Sequence, residues 1–238
     1  MILVPRVMFE DESICVVDKP AGMVVNKSQT TAEITVQEWH APKLKNQNSN
    51  IKTGEFYEKG GVVHRLDKET SGVMVLAKTP ENYEKLKKQF MERKTVKRYR
   101  ALVNGIMDKE SGIIAVPVER HPKVKKKFGV SGNLSRMAVT EWRVLEKYSI
   151  SNAQYSMLEL TPLTGRTHQI RVHLAHIGHP VAGDTIYGGR RKVVEERKWC
   201  PRLWLHAKYL EFVHPATGNR VSFEAPVPEE LQRLVTSV

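Results

Sequence analysis

The chain has little that would fix it covalently or place it in a membrane. Of its 238 residues only two are cysteines, Cys15 and Cys200, and they lack the paired spacing of a zinc site or a disulfide framework. No apolar run approaches the ~20 residues that cross a bilayer, and the N-terminus turns acidic before a signal-peptide core could form. We therefore expect reduced, structural thiols in a cytoplasmic protein.

Acidic residues are also scarce relative to basic ones. The chain has 26 Asp and Glu against 38 Lys and Arg, which gives a formal net charge of +12. A polyanion partner would use this excess through phosphate contacts and counterion release, so the composition predicts nucleic-acid binding. The basic residues gather in three segments that we interpret as a track for RNA or DNA: Lys85–Arg100, Arg120–Lys127 and Arg190–Arg202.

The common cofactor and metal motifs are missing. The sequence contains no P-loop, no strand-anchored GxGxxG, no HExxH and no serine nucleophile elbow. Between Thr161 and Gly189, successive histidines are spaced by five, three and three residues, which matches no zinc signature. We expect neither metal nor nucleotide cofactor here. His168 and Arg171, three apart on a predicted helix, could instead meet phosphate or a carboxylate, or form a solvated basic face.

The pattern of short strands with few intervening helices predicts one mixed α/β domain over residues 1–238. A largely antiparallel central sheet would be flanked by helices and loops. A helix should begin at the Thr79 cap and end near Arg93, and residues 43–61 should form a mobile polar insertion. The other predicted elements are strands at 14–17, 23–25, 98–103, 112–118, 136–145 and 154–163, a helix at 167–176, and a C-terminal pair of strands.

The stretch "VVHRLDKETSGVMVLAK" places Asp67 on a short connection between two apolar runs. An isolated aspartate there would ordinarily cap a turn with Thr70 and Ser71. Here Arg65 and Lys68 flank it and favour the ionised form, although a carboxylate repels phosphate. A protein that binds a polyanion loses affinity by keeping this carboxylate, so we expect the carboxylate to have a catalytic task. It could act as a nucleophile or a base at a sugar carbon.

The sequence around Asp67 resembles that of the RluA-type pseudouridine synthases. The similarity covers essentially the whole chain and is carried by several segments: "VVDKPAGMVVN", "HRLDKETSGVMVLAK", "KRYRALVNG", "RMAVTEWRVL", "GRTHQIRVHLAHIGHPVAGDTIYG", "LHAKYLEFVHPATG" and "APVPEEL". The resemblance implies isomerisation of uridine in RNA to pseudouridine without a cofactor. The base leaves C1′, turns over and reattaches through C5 after the nucleotide is flipped out.

By this resemblance, Asp67 is the catalytic aspartate. Tyr99 matches the active-site tyrosine that packs on the target base and is implicated in removing the C5 proton. Arg166 matches the arginine that pairs with the catalytic carboxylate and would keep it ionised and oriented. Whether the aspartate attacks the ribose, adds to the base or removes a sugar proton is left open; we favour proton removal.

RNA binding is assigned to a second set of residues. Arg65 resembles the residue that displaces the target base, and the others assigned to RNA or substrate contact are His64, Thr70, Lys97, His168 and Arg171. Many relatives carry a small S4 RNA-binding domain that is not expected here, and Asn26 stands where histidine is more common. We therefore expect a monomer whose catalytic domain binds ribosomal or transfer RNA alone.

Two other classes of function compete with this interpretation. A catalytically silent RNA-binding or ribosome-assembly protein would explain the charge and leave Asp67 structural. A metal-dependent nuclease would need clustered acids, and neither Asp67 nor Asp184 has an evident carboxylate companion in the sequence.

Overall fold

A computed structural model of the chain describes residues 3–29, 31–44, 53–124 and 127–236. The strands are β1 Arg6–Glu10, β2 Ile14–Lys19, β3 Ser71–Ala77, β4 Val96–Asn104, β5 Ser111–Arg120, β6 Phe128–Val130, β7 Met137–Ile150, β8 Ala153–Pro162, β9 Leu205–Val213 and β10 Arg220–Glu224. The α-helices are α1 Val36–His40, α2 Glu55–Glu58, α3 Pro80–Met91, α4 Gln169–His176, α5 Arg190–Glu196 and α6 Glu229–Thr236. Two 3₁₀ turns, Ala41–Lys43 and Leu134–Arg136, complete the set. In the described ranges no helix is long and apolar enough to cross a membrane.

The chain divides into two compact units. The first comprises Met1–Lys97 and Ala207–Pro226, and the second comprises Arg98–His206 and Val227–Val238. Each unit has its own hydrophobic core. The expected mixed α/β class with a largely antiparallel sheet is confirmed, whereas the single catalytic domain over 1–238 stays a prediction.

In the first unit, β2 pairs antiparallel with β1 on one side and with β3 on the other, and β9 pairs antiparallel with β10. All seven residues of β3 are buried, as expected for an apolar run inside a sheet. Helix α3 begins as predicted, because the Thr79 side chain accepts a hydrogen bond from the Asn82 N–H at 3.3 Å and Pro80 occupies the first turn. It ends at Met91, two residues before the predicted end.

The second unit is built on strands in the order β4-β8-β7-β5-β6. Strands β7 and β8 form a hairpin whose turn residues, Ser151 and Asn152, both have positive φ, as its right-handed twist favours. Helix α4 is tied to this sheet by His173, whose ring nitrogens lie 3.0 Å from Thr140 Oγ1 and 3.3 Å from the Val116 carbonyl. The strands predicted at 98–103, 112–118, 136–145 and 154–163 are confirmed, as is the helix predicted at 167–176.

Of the predictions for the first 61 residues, the strand at 23–25 is wrong, and the mobile insertion at 43–61 is wrong for the part that contains α2. Met23 and Val25 are buried, but their segment forms no strand, because the Val24 and Val25 carbonyls accept hydrogen bonds from the first N–H groups of α1. The polar stretch 43–61 contains α2, whose Phe56 packs into the core of the first unit. Residues 45–52 of that stretch, together with Lys125 and Lys126 of the second basic segment, lie outside the described residues.

Candidate active site

Asp67 lies on a short loop that joins residue 62 to β3 in the first unit. Its backbone carbonyl accepts a hydrogen bond from the Thr70 N–H at 3.1 Å, which closes a turn over these four residues. Leu66 and Thr70 are buried on either side, whereas Asp67 is half-buried and Arg65 is exposed. The predicted turn between Asp67 and Thr70 is therefore present, and it holds the carboxylate on a fixed backbone near the surface.

A buried lysine fixes this loop from below. Lys19 is fully buried at the end of β2, and its Nζ donates to the carbonyls of Pro20 at 2.8 Å, Met23 at 2.9 Å and Lys68 at 3.2 Å. The Gly22 N–H donates to the same Lys68 carbonyl at 2.8 Å. Because a buried ammonium is strongly disfavoured without hydrogen bonds, these contacts define the conformation of the residue directly after Asp67. No local sequence signal marks Lys19 for this role.

The glycine of "TSG" is required by a close backbone approach. Gly72 has φ of +122°, and a Cβ built on it would lie 2.2 Å from the Ala207 carbonyl oxygen in β9. No side chain fits at that distance, so β3 can start beside β9 only with glycine here. The end of the Asp67 loop is thereby fixed as well.

His64 is held as a neutral ring. Its Nε2 accepts a hydrogen bond from the Val75 N–H at 3.0 Å, and the ring stacks on Phe90 with centroids 4.3 Å apart. Burial, with a smaller contribution from the charge of Lys97, lowers the pKa of His64 to about 3. The placement favours a structural role over proton transfer, and contact between His64 and RNA stays a prediction.

Two of the cations assigned to RNA contact, Arg65 and Lys97, lie in the first unit. Arg65 is exposed, and Lys97 is half-buried near the start of β4, where burial lowers the pKa of its ammonium. Within the described part of the chain neither side chain has a hydrogen bond or an ion pair. Both are therefore available for an external anion, and their contact with RNA stays a prediction.

In the second unit, Tyr99 lies on β4 opposite Leu160 of β8. Its ring is half-buried and packs against the core of this unit, while the next residue, Arg100, points to the other face and pairs with Glu159. The strand predicted for this segment is confirmed, and the role of Tyr99 in catalysis stays a prediction.

The loop that carries Arg166 is fixed by one buried amide, Gln169. The Gln169 Oε1 accepts hydrogen bonds from Thr164 Oγ1 at 2.7 Å and from the Arg166 N–H at 3.0 Å. Its Nε2 donates to the Val139 carbonyl and to Thr140 Oγ1, both on β7. The Arg166 side chain is half-buried. Four hydrogen bonds of one side chain thus hold the arginine loop on the sheet. No local sequence signal marks Gln169 for this role.

His168 adopts an unusual conformation directly before α4. Its φ of 57° is left-handed, which costs a non-glycine residue about 1–2 kcal/mol. The Nδ1 atom lies 2.9 Å from the Tyr187 hydroxyl, and that hydroxyl accepts a hydrogen bond from the Phe128 N–H. The ring is half-buried and packs edgewise on both aromatic residues, so its predicted RNA contact is untested.

Arg171 is placed in the interior of the second unit. Its side chain is 4% exposed and pairs with Asp184, which is 0% exposed, through Nε to Oδ2 at 2.7 Å and Nη2 to Oδ1 at 2.8 Å. The sequence left open whether Arg171 meets a phosphate or a carboxylate, and in the structure its partner is the Asp184 carboxylate. Asp184 Oδ1 also accepts the N–H groups of Ile186 and Tyr187. This placement favours a structural role for Arg171, and its contact with RNA stays a prediction.

No three His, Cys, Asp or Glu side chains in the described residues are grouped so that they could hold a metal ion. The sequence prediction of a reaction without metal is not tested by this observation.

Comparison with known proteins identifies the family. The model of the RNA pseudouridylate synthase family matches residues 13–176, which include the Asp67 loop, Tyr99 and Arg166. Ribosomal large subunit pseudouridine synthase D of Pseudomonas aeruginosa is 39% identical over 242 residues, which cover 97% of this chain and 71% of that protein. An uncharacterized RNA pseudouridine synthase of Aquifex aeolicus is 41% identical over 229 residues, which cover 94% of this chain and 70% of that protein.

Among solved structures, human RNA pseudouridylate synthase domain containing 1 has the same fold. The TM-score is 0.74 at 26% identity, and the alignment covers 99% of this chain and 89% of that one. The resemblance found in the sequence is confirmed. The chain therefore belongs to the RNA pseudouridylate synthase family and is an enzyme of the RNA pseudouridine synthase class.

Proposed function

We propose that this enzyme isomerises specific uridines in structured RNA to pseudouridine, with Asp67 as the catalytic carboxylate acting on a flipped-out nucleotide. The observation that supports this most is the Asp67 loop. The loop matches the family motif, and Lys19, Thr70 and Gly72 fix its backbone while the carboxylate stays half-buried. The chain has a net charge of +12 and binds a polyanion, so a carboxylate at the binding surface weakens that binding. Catalysis on the polyanion explains why the carboxylate is present.

The reaction needs acid–base chemistry at three positions of the nucleotide. The N1–C1′ bond breaks, the base turns, and a C5–C1′ bond forms; C5 then loses its proton and N1 gains one, so no atom or electron is gained or lost overall. Asp67 acts on the sugar side, in the route we favour by removing the C2′ proton as the base leaves. That proton returns to C2′ when the new bond forms.

Tyr99 and Arg166 are proposed to take part through the roles that the family resemblance implies. Tyr99 would stack on the base and accept the C5 proton, a task for a hydroxyl group on a fixed strand. Arg166 would hold the catalytic carboxylate in its ionised form. The support from the structure is local: Tyr99 packs on the core of its unit, and Gln169 fixes the backbone N–H of Arg166.

Ribosomal RNA is the substrate class that we favour over transfer RNA. The curated relatives at 35–40% identity include several ribosomal large subunit pseudouridine synthases D. A cytoplasmic location and a monomeric state are inferred with this function; fractionation and light scattering of the purified protein would test them.

Mapping pseudouridines in total RNA from cells with and without this gene tests the proposal. We expect one or a few uridines of large-subunit ribosomal RNA to lose modification in the deletion strain. A plasmid with the wild-type gene should restore them, and one with Asp67→Asn should not. Restoration by Asp67→Asn would support the alternative of a catalytically silent RNA-binding or assembly protein. Loss confined to transfer RNA would change the substrate class and leave the reaction intact.

A further inference from the structure

The cations on helix α3 are largely neutralised by neighbouring acids. The lysines of the segment 85–94 have carboxylate partners at 3.9 Å or less: Lys85 with Glu81, Lys87 with Glu55, Lys88 with Glu92, and Lys94 with Glu92. Their charges therefore contribute little to RNA binding. The basic segment Lys85–Arg100 predicted from sequence is in this part mostly a set of ion pairs.

Arg93, in the connection between α3 and β4, and Lys97, the second residue of β4, are exceptions. In the described residues, neither side chain has a carboxylate or a hydrogen-bonding partner. Arg93 is exposed and Lys97 is half-buried. Two unneutralised cations thus lie four residues apart, next to a helix whose lysines are paired.

The backbone after α3 places Arg93 at a sharp reversal of the chain, four residues before Lys97. Arg93 has φ of 57°, and the Lys94 N–H donates to the Gln89 carbonyl at 2.9 Å, as in a helix end that usually carries glycine. An arginine is less stable than glycine in this left-handed conformation, because its Cβ crowds the following carbonyl oxygen. The side chain therefore occupies this position at a cost in stability.

The same connection lies beside the Asp67 loop. Phe90, in the last turn of α3, stacks on His64, which is three residues before Asp67. The charge of Lys97 helps to lower the pKa of His64, and burial and the charge of Arg93 lower the pKa of Lys97. The region thus carries a positive potential that a bound anion would relieve.

We propose that Arg93 and Lys97 form a phosphate-binding subsite that holds the RNA backbone next to the Asp67 loop. This inference rests on the proposed function, since it assigns the anion as a phosphodiester of the RNA substrate. Arg93 supplies a solvent-facing fork for two phosphate oxygens, and Lys97 supplies a partly desolvated point charge.

Salt-dependent RNA binding tests the subsite. The affinity for a fluorescein-labelled RNA stem-loop with a uridine-containing loop would be measured from low to high salt for Arg93→Gln, Lys97→Gln, the double variant and a matched control. Lys94→Gln is the control, because it removes the same charge from the same turn but Lys94 already pairs with Glu92 at 2.7 Å.

Each phosphate contact that is lost should lower the slope of log K against log salt by about 0.7, so the double variant should lose about 1.4. Lys94→Gln should keep the wild-type slope. A double variant with the wild-type slope, or a control that changes as much as the double variant, would overturn the subsite.

Two further measurements separate this proposal from a structural role and from the proposed function. If Lys97 had only a structural role at the start of β4, Lys97→Met would lower the melting temperature. Because burial disfavours the charge of Lys97, we expect the melting temperature of this variant to be unchanged or higher. A lower melting temperature together with an unchanged salt slope would overturn the proposal. Pseudouridine formation by wild-type enzyme is scored separately, so its absence would refute the proposed function while the salt slopes still report on phosphate binding.

Discussion

The buried ion pair between Arg171 and Asp184 allows a quantitative prediction of stability. Asp184→Asn keeps the size of the side chain and an oxygen for the Ile186 and Tyr187 N–H groups, but removes the charge opposite a guanidinium that is 4% exposed. Breaking a buried pair by removing one partner typically costs about 3–5 kcal/mol, because the other charge is left uncompensated. For a chain of this size we expect a melting temperature lower by about 6–20 °C.

Thermal and urea unfolding of the variant would measure this loss. Asp18→Asn is the matched control, since Asp18 pairs with the exposed side chain of Arg6 at 3.2 Å and should lose less than about 1 kcal/mol. The double variant Arg171→Met with Asp184→Asn should be more stable than the sum of the single losses predicts. Equal losses for Asp184→Asn and Asp18→Asn would refute the assignment of this pair as a buried structural element.

Substitutions at three other positions give distinct outcomes. Gly72→Ala should reduce soluble, folded protein, because its methyl group would lie 2.2 Å from the Ala207 carbonyl oxygen; wild-type stability by thermal unfolding would contradict the close approach. Gln169→Leu should reduce kcat by loosening the Arg166 loop, and wild-type kcat in a folded Gln169→Leu variant would contradict this positioning role. Burial lowers the pKa of His40 to about 4 in the folded protein. As the pH falls, the unfolded chain therefore binds a proton at His40 at a higher pH than the folded protein does. The free energy of unfolding should fall between about pH 6.5 and pH 4, by up to about 3 kcal/mol. His40→Asn should flatten this part of the pH profile of unfolding, and an unchanged profile would show that His40 does not cause it.

Local patterns were sufficient to predict most elements of the fold. The cap, first-turn proline and apolar spacing located α3 to within two residues. Alternation located β4, and short strand-like apolar segments located β5, β7 and β8. The segment 23–25 shows the limit of this approach. Its apolar residues are buried as in a strand, but its carbonyls bind the start of α1, and that helix was not predicted from the sequence.

The residues that position the candidate site could not be predicted from spacing. Lys19 contacts the Lys68 carbonyl across 49 residues, and Gln169 contacts the Val139 carbonyl across 30. Such contacts depend on which strands become neighbours, and a lysine in "DKPAG" or a glutamine in "THQIR" has no local signal for that role. The partner of Arg171 was open between phosphate and carboxylate for the same reason.

The basic segments show a similar limit. The lysines of α3 add to the basic segment in the sequence, but each of them pairs with a glutamate that is close in space, including Glu55 across 32 residues. Only the folded arrangement distinguishes these lysines from Arg93 and Lys97.

The most direct test of the central claim is the release of tritium from C5 of uridine by the purified enzyme. A large-subunit ribosomal RNA transcript labelled with tritium at C5 loses the label when C5 bonds to C1′, so release reports pseudouridine formation. Wild-type enzyme and Glu69→Gln, which removes a neighbouring carboxylate from the same loop, should release tritium at comparable rates. Asp67→Asn should bind the RNA and release none; release by Asp67→Asn at the wild-type rate would contradict the assignment of Asp67 as the catalytic carboxylate.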